Sequence, residues 1–224
     1  MNRNICEGID VDGIRSSFLA YTRRAFGLLP HIESPKILDI GCGSGVPTME
    51  LARLSKGYVT GMDINRLQLE KLKTKVRKEG LGGRVKVMEC SMLGMDFEDE
   101  SFDIIWAEGS ISAVGFERGI RDWRRLIKKD GYLVVHDALL GLESKLESIV
   151  EAGYELIDHF TVEREIWMNE YLLPLKESLA EYDRCCEPDI EKSEEISRYR
   201  REIEDFERHP ELNESVFFIM KKIG

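Results

Sequence analysis

Apolar positions along the chain change period repeatedly, from about 3.6 to 2 and back. Residues Gly13–Leu29 place Ile14, Phe18, Leu19, Tyr21, Ala25, Phe26 and Leu28 at helical spacing. Ile37-Leu38-Asp39-Ile40 is a short apolar run bounded by Pro35 and Gly41, which predicts a buried strand. Helix Thr48–Ser55, strand Tyr58–Asp63, helix Arg66–Gly80 and strand Arg84–Cys90 follow, and then an irregular loop from Ser91 to Phe97. A fourth strand is expected at Ser101–Ala107, then a helix from Gly115 that ends at Lys128-Lys129-Asp130-Gly131, with a basic last turn and a glycine stop. Strand Tyr132–Asp137, helix Leu142–Ala152 and strand Tyr154–Val162 complete the alternation. Beyond it, Glu163–Arg184 reads as an aromatic helix kinked or broken at Pro174, and Glu187-Pro188 interrupts the chain. Asp189–Arg208 is a charged helix with one apolar stripe, and Ser215–Lys221 is a last strand. Alternating strands and helices imply an α/β protein with a mostly parallel, doubly wound sheet.

The first strand runs into Gly41-Cys42-Gly43-Ser44-Gly45 and then Val46-Pro47-Thr48. Strand, glycine turn and helix N-terminus together present bare backbone N–H groups to a nucleotide-like ligand. The spacing here is G-x-G-x-G, whereas a dinucleotide fold wants G-x-G-x-x-G, and Val46 occupies that third glycine's place. The spacing therefore argues against a nicotinamide oxidoreductase. Asp63 ends the second strand about 20 residues further on, where such folds place the acid that binds ribose hydroxyls. A helix N-cap is the plainer role for it. Residues at the carboxyl ends of parallel strands line the ligand crevice, which brings forward Glu108, His136 and Asp137 as candidate bases. His136 has the side chain suited to proton removal near neutrality, or it is a core-edge histidine bonded to a neighbour.

An acid in the strand followed by G-x-G-x-G resembles motif I of the class I S-adenosylmethionine (SAM) dependent methyltransferases. The stretch Ser101-Phe102-Asp103-Ile104-Ile105-Trp106 is similar to a second signature of that family. The run Trp106–Ile111 and the segment Gly115–Val135 resemble small-molecule methyltransferases of the methyltransferase domain 11/25 type. The resemblance implies a Rossmann-like sheet of seven strands in the order 3-2-1-4-5-7-6 with the last strand antiparallel. It divides the chain into an N-terminal lid helix (1–35), a SAM-binding core (36–163), a helical insertion or cap (164–213) and the final core strand (214–224). It implies SAM as cofactor, with S-adenosyl-L-homocysteine as product, held by Asp39, Gly41, Cys42, Gly43, Gly45, Asp63, Ile64, Ser91, Met92 and Glu108. Ile64 would pack on the adenine. Ser91 stands where many members carry an acid facing the adenine amino group, and Met92 would offer a backbone N–H to the ring. Glu108 and His136 are the candidate catalytic residues. Tyr21, Trp167 and Tyr171 are the candidate substrate contacts. The N-terminal helix is then a lid or plain sheet packing, and the insertion shapes the acceptor pocket or makes a dimer contact.

Composition narrows the partners. The chain has 224 residues, 42% hydrophobic and 33% charged, which suits a soluble globular domain. Its formal net charge of −10 would repel nucleic acid, and no apolar run approaches the ~20 residues of a membrane span. The N-terminus lacks a signal peptide's apolar stretch, so a cytoplasmic enzyme acting on a small molecule is expected. Five cysteines, at 6, 42, 90, 185 and 186, give no C-x-x-C pattern and no metal site. Cys42 and Cys90 read as small buried residues. The adjacent Cys185-Cys186 reads as two free helix thiols or as a contact for a soft metalloid. Two alternatives therefore remain: a non-catalytic SAM- or nucleotide-binding module, and a metalloid or thiol methyltransferase.

Overall fold

The computed structural model describes residues 8–186, 193–210 and 213–224. The Glu187-Pro188 break, the first residues of the helix expected from Asp189, and Cys6 lie outside them. In chain order the elements begin with α1 (Val11–Ser16), α2 (Leu19–Gly27), β1 (Lys36–Ile40), α3 (Val46–Ser55), β2 (Tyr58–Asp63), α4 (Arg66–Lys78) and β3 (Val85–Glu89). They continue with β4 (Phe102–Glu108), α5 (Phe116–Trp123), β5 (Ile127–Ala138), α6 (Leu142–Glu151) and β6 (Tyr154–Val162). The last are α7 (Arg164–Trp167), α8 (Leu173–Cys185), α9 (Ser193–Arg208) and β7 (Ser215–Lys222). The sheet has seven strands in the order β3-β2-β1-β4-β5-β7-β6. β1 to β5 pair in parallel, and β7 runs antiparallel to both β5 and β6. The expected strand order and the antiparallel last strand are both present.

Both sheet faces are buried, so its central strands carry near-continuous apolar runs. Leu38, Ile105, Leu133, Val135 and Phe218 pack on one face beneath Ile120, Trp123 and Ile149. Ile37, Trp106, Val134 and Phe217 pack on the other with Met49, Leu51 and Leu72. A third cluster lies apart from the sheet. Ile9 packs there with Tyr171, Leu175, Leu179 and Tyr182 of the insertion and Ile196, Tyr199 and Ile203 of α9. The N-terminal segment and the insertion therefore share one core and form a cap above the carboxyl ends of β1, β4 and β5.

Two local expectations are corrected. The single helix expected over 13–29 is two, α1 and α2, parted at Ser17–Phe18. The break lets Phe18 pack 4.6 Å from the Trp167 ring, a tertiary contact that helical periodicity does not encode. The helix expected to end at Lys128-Lys129 stops at Trp123, and after one 3₁₀ turn β5 has begun by Ile127. Ile127 is fully buried and pairs with Phe102. Gly131 is there for space: a Cβ would lie 2.8 Å from the Asp103 carbonyl oxygen and 2.7 Å from Ile127. The basic run and glycine that read as a helix end are a strand that bends close against its neighbour. Pro174 sits in the first turn of α8, where its missing N–H costs little, and a π-helical turn at Met168–Leu172 precedes it.

Candidate active site

The glycine turn is held from behind. The backbone N–H groups of Gly41 and Cys42 both donate to the Met62 carbonyl, at 2.8 and 2.9 Å. Gly41 has φ +72° and its missing Cβ would lie 2.4 Å from Cβ of Ser110, whose hydroxyl donates to the Ile40 carbonyl at 2.6 Å. Gly43 differs: at φ +53°, a Cβ there would meet nothing within 4 Å. The turn thus leaves a glycine cradle open to the crevice, flanked by Gly45 at the start of α3. Cys42 is a buried free thiol, pushed well above its ordinary range by burial, and so behaves as a small inert residue.

Asp63 is preset for hydroxyl groups. Its Oδ2 accepts the Gly43 N–H at 2.9 Å and its Oδ1 accepts the Asn65 N–H at 2.8 Å. Each oxygen keeps a further lone pair. The N-cap of α4 is Asn65, which accepts from Leu67 and Gln68, so Asp63 is not needed as the cap. Asp39 is buried on β1 and accepts from the Thr48 hydroxyl at 2.6 Å. Burial raises its carboxyl to about 7.

Glu108 closes β4. It accepts from Trp106 Nε1 at 2.7 Å and from the Thr22 hydroxyl of α2 at 2.9 Å. Burial, chiefly, raises it to about 7, so it exchanges protons near neutrality. His136 stands opposite it in the β4–β5 register. Its ring stacks on Phe217 at 4.2 Å, and its Nε2 lies 2.7 Å from the Ser215 hydroxyl, which also accepts from Trp167 Nε1 at 2.9 Å. Burial lowers His136 to about 3, so the ring is neutral at physiological pH and a weak base. Asp137 is committed to an ion pair with Lys145 at 2.6 Å.

Two cavities meet at these residues. One, of about 410 Å³, runs past Gly41, Gly43 and Asp63 beneath α1 and Tyr199 of α9. The other, of about 380 Å³, lies over Asp39, Glu108 and His136 beneath Phe18 and Trp167. Gly41, Gly43, Ser44, Glu108 and Arg15 line both, so the two form one bent crevice. Asp12 of α1 crosses its rim, accepting from the Ser44 hydroxyl and pairing with Lys75 at 2.8 Å.

Of the candidates from sequence, Asp39, Gly41, Cys42, Gly43, Asp63, Glu108, His136, Trp167 and Tyr171 line this crevice. Met92 packs behind the turn, with Cε 3.6 Å from the Gly41 Cβ position, and neither it nor Gly45 is part of the lining. Ser91 is exposed and caps its own turn by accepting the Leu93 N–H. Ile64 is 71% exposed beside Asp63. Neither Ser91 nor Ile64 is part of the lining. Tyr21 also stays off the lining, where Phe18, Leu19 and Thr22 take the inward face of the same helix region. Sequence reasoning missed Thr22, Arg15, Glu202, Phe206 and Ser215. Thr22 is 1% exposed, a buried polar residue on a helix whose rotation the periodicity leaves loose. Cys186 is disulfide-bonded, which corrects the reading of Cys185-Cys186 as two free helix thiols. Neither lines the crevice, and among the described residues no group of three or more His, Cys, Asp or Glu could hold a metal. Among them, too, no helix is long and apolar enough to cross a membrane.

The strand order, the glycine turn after β1 and the acid at the end of β2 define a class I methyltransferase fold. Residues 37–131 match the family model described as a methyltransferase domain. The chain is 30% identical over 186 residues to the 27-O-demethylrifamycin SV methyltransferase of Amycolatopsis mediterranei, a match covering 80% of this chain and 63% of that protein. Among solved structures it resembles a SAM-dependent methyltransferase of Geobacter sulfurreducens in complex with S-adenosyl-L-homocysteine, with a TM-score of 0.69 at 17% identity, covering 92% of this chain and 89% of the other. The [4+2]-cyclase SpnF gives a TM-score of 0.71 at 21% identity, covering 92% and 83%. By fold, and by sequence over residues 37–131, the chain is similar to the class I SAM-dependent methyltransferases. It spans less than two thirds of the length of the first curated relatives it matches.

Proposed function

We propose that this chain transfers a methyl group from SAM to a small-molecule acceptor held under the cap. The observation that carries this reading is the open cradle at Gly43 beside Asp63, leading directly to a second cavity with Glu108 at the bend. The residues fit the cofactor. A side chain at Gly43 would fill the cradle, and Asp63 keeps two acceptor positions for a ribose diol. Gly41 and Gly43 would admit the nucleoside with Gly45, Asp39 and Cys42 behind them. Met92 would back the turn, and Ile64 and Ser91 would border the adenine from the rim. The carboxylates of Asp39 and Glu108 suit a ligand that brings positive charge.

SAM when bound supplies an activated methyl group on a sulfonium. What remains for the protein is to hold the acceptor in line, exclude water and take a proton where the acceptor carries one. Glu108 is placed for the proton, titrating near neutrality at the junction of the two cavities. His136 is neutral and weakly basic, and would orient an acceptor polar group through hydrogen bonding. Trp167 and Tyr171 would contact the acceptor, and Tyr21 would support the Phe18 wall from behind.

Calorimetric titration with S-adenosylhomocysteine, with NAD as control, tests the reading. Binding of the first alone is expected, weakened at least about tenfold by Asp63→Ala, since a hydrogen bond to a charged group contributes ~1.5–3 kcal/mol. Absence of S-adenosylhomocysteine binding would overturn it.

A further inference from the structure

The wall of the upper cavity is built from two pairs of residues, each four apart. Trp167 and Tyr171 follow one another across the π-helical turn, and Glu202 and Phe206 share one face of α9. The pairs face each other. The Tyr171 hydroxyl donates to Glu202 Oε1 at 2.6 Å, and the Trp167 and Phe206 rings lie 5.9 Å apart. Phe18 of the N-terminal segment packs 4.6 Å from Trp167 and adds a third aromatic side. This is a wall of π-faces with a carboxylate set into it.

The charges facing the cavity do not balance. Asp39 and Glu108 belong to the bend shared with the cofactor side, and Arg15 lines both cavities. Asp137 is neutralised by Lys145. Glu202 accepts from the Tyr171 hydroxyl and is attracted by the Arg15 guanidinium, which lies 5.8 Å over the Tyr171 ring. That leaves Glu214, next to the last strand, which makes no ion pair within 4 Å among the described residues. A neutral apolar acceptor would leave the Glu214 carboxylate facing it without a cation. An organic cation would satisfy it, and aromatic faces attract cations through their quadrupoles.

We propose that the acceptor is an apolar amine, recognised in its ammonium form by the Phe18–Trp167–Phe206 wall together with Glu214. The word acceptor rests on the methyltransferase reading; the preference for a cation rests on this cavity alone. On transfer, the ammonium first gives one proton to Glu108. The nitrogen lone pair then forms the new N–C bond while the C–S bond breaks and its electron pair stays on sulfur.

The test uses three probes of one size: 2-phenylethylammonium, 2-phenylethanol and phenylacetate. Each is titrated into the whole chain with and without saturating S-adenosylhomocysteine, following Trp fluorescence or heat. The ammonium is expected to bind at least about tenfold more tightly than the alcohol, with the carboxylate weakest, as a desolvated cation–π contact of ~2 kcal/mol requires. Glu214→Gln should weaken the ammonium several-fold and leave the alcohol unchanged. Equal binding of ammonium and alcohol, or tighter binding of the alcohol or the carboxylate, would overturn the proposal. If S-adenosylhomocysteine itself fails to bind, the methyltransferase reading falls, while the probe order in the free protein still decides whether the cavity selects cations.

Discussion

The two halves of the crevice are built differently. Below it lies the sheet, where Trp106, Val134 and Phe217 and their neighbours are essentially removed from solvent and each strand is paired on both sides except at β3 and β6. Above it lies the cap, whose own core joins Ile9 to α8 and α9. Polar links tie the cap to the sheet side: Thr22 to Glu108, Asp12 to Ser44 and Lys75, and Lys71 to Glu195 at 3.1 Å. The sheet side carries the glycine cradle and Asp63, the parts a shared cofactor would need. The cap side carries the aromatic wall and Glu202, the parts that would differ with the acceptor. A rigid half common to a family and a separately cored half that sets specificity is how one fold serves many acceptors. The likeness to a [4+2]-cyclase makes the same point, since the fold by itself does not name the chemistry.

Mutations on the two sides should separate these roles. Trp123→Ala, which empties a fully buried site under the sheet, should cost ~3–5 kcal/mol in urea denaturation. Phe206→Ala on the half-buried cap wall should cost less than half of that, yet remove most binding of the amine probe. Comparable losses of stability from both would argue that the cap and the sheet are one cooperative core. Gly43→Val should abolish measurable S-adenosylhomocysteine binding, because the side chain fills the cradle, while lowering stability by only ~1–2 kcal/mol for the left-handed backbone.

Protons provide a subtler probe. Glu108 and Asp39 have carboxyls raised to about 7 in the folded chain, so between their ordinary values and 7 the native state holds protons that the unfolded chain has released. Their contribution to stability is complete below the unfolded values and is lost as pH rises through 7. Glu108→Gln should therefore flatten the fall in stability between pH 5 and pH 7.5, measured as the difference from the parent protein. An unchanged slope would show that Glu108 is ionised throughout. The smallest effect is expected from Lys71→Met. Its partly exposed ion pair with Glu195 is worth at most ~1 kcal/mol, so stability should barely move while S-adenosylhomocysteine dissociates a few times faster.

The alternation of apolar periods was enough to place the seven strands, because a parallel sheet covered on both faces demands runs such as Ile37–Ile40 and Leu133–Val135. The glycine spacing and Asp63 were legible because backbone geometry restricts which residues can stand at a strand end. Glu108 and His136 were legible for the same positional reason. The roles within the crevice were not. The choice of Thr22 over Tyr21 is a rotation of about 100° of one helix, and an amphipathic pattern tolerates that much. Trp167 and Tyr171 were legible as aromatics, but their partners Glu202 and Phe206 lie more than thirty residues away on another helix. The run Lys128–Gly131 misled because its glycine answers to the Asp103 carbonyl, a contact made across the sheet.

Local chemistry in the chain therefore determined the sheet, its order by resemblance, and the half of the crevice that its strand ends build. Tertiary structure decided which face of α2 turns inward, that Ile9 joins the insertion in one core, and that burial holds His136 neutral while bringing Glu108 to titrate near 7. The reason is physical: strand periodicity and glycine geometry are properties of neighbouring residues, whereas desolvation and side-chain pairing depend on what the rest of the chain places beside them.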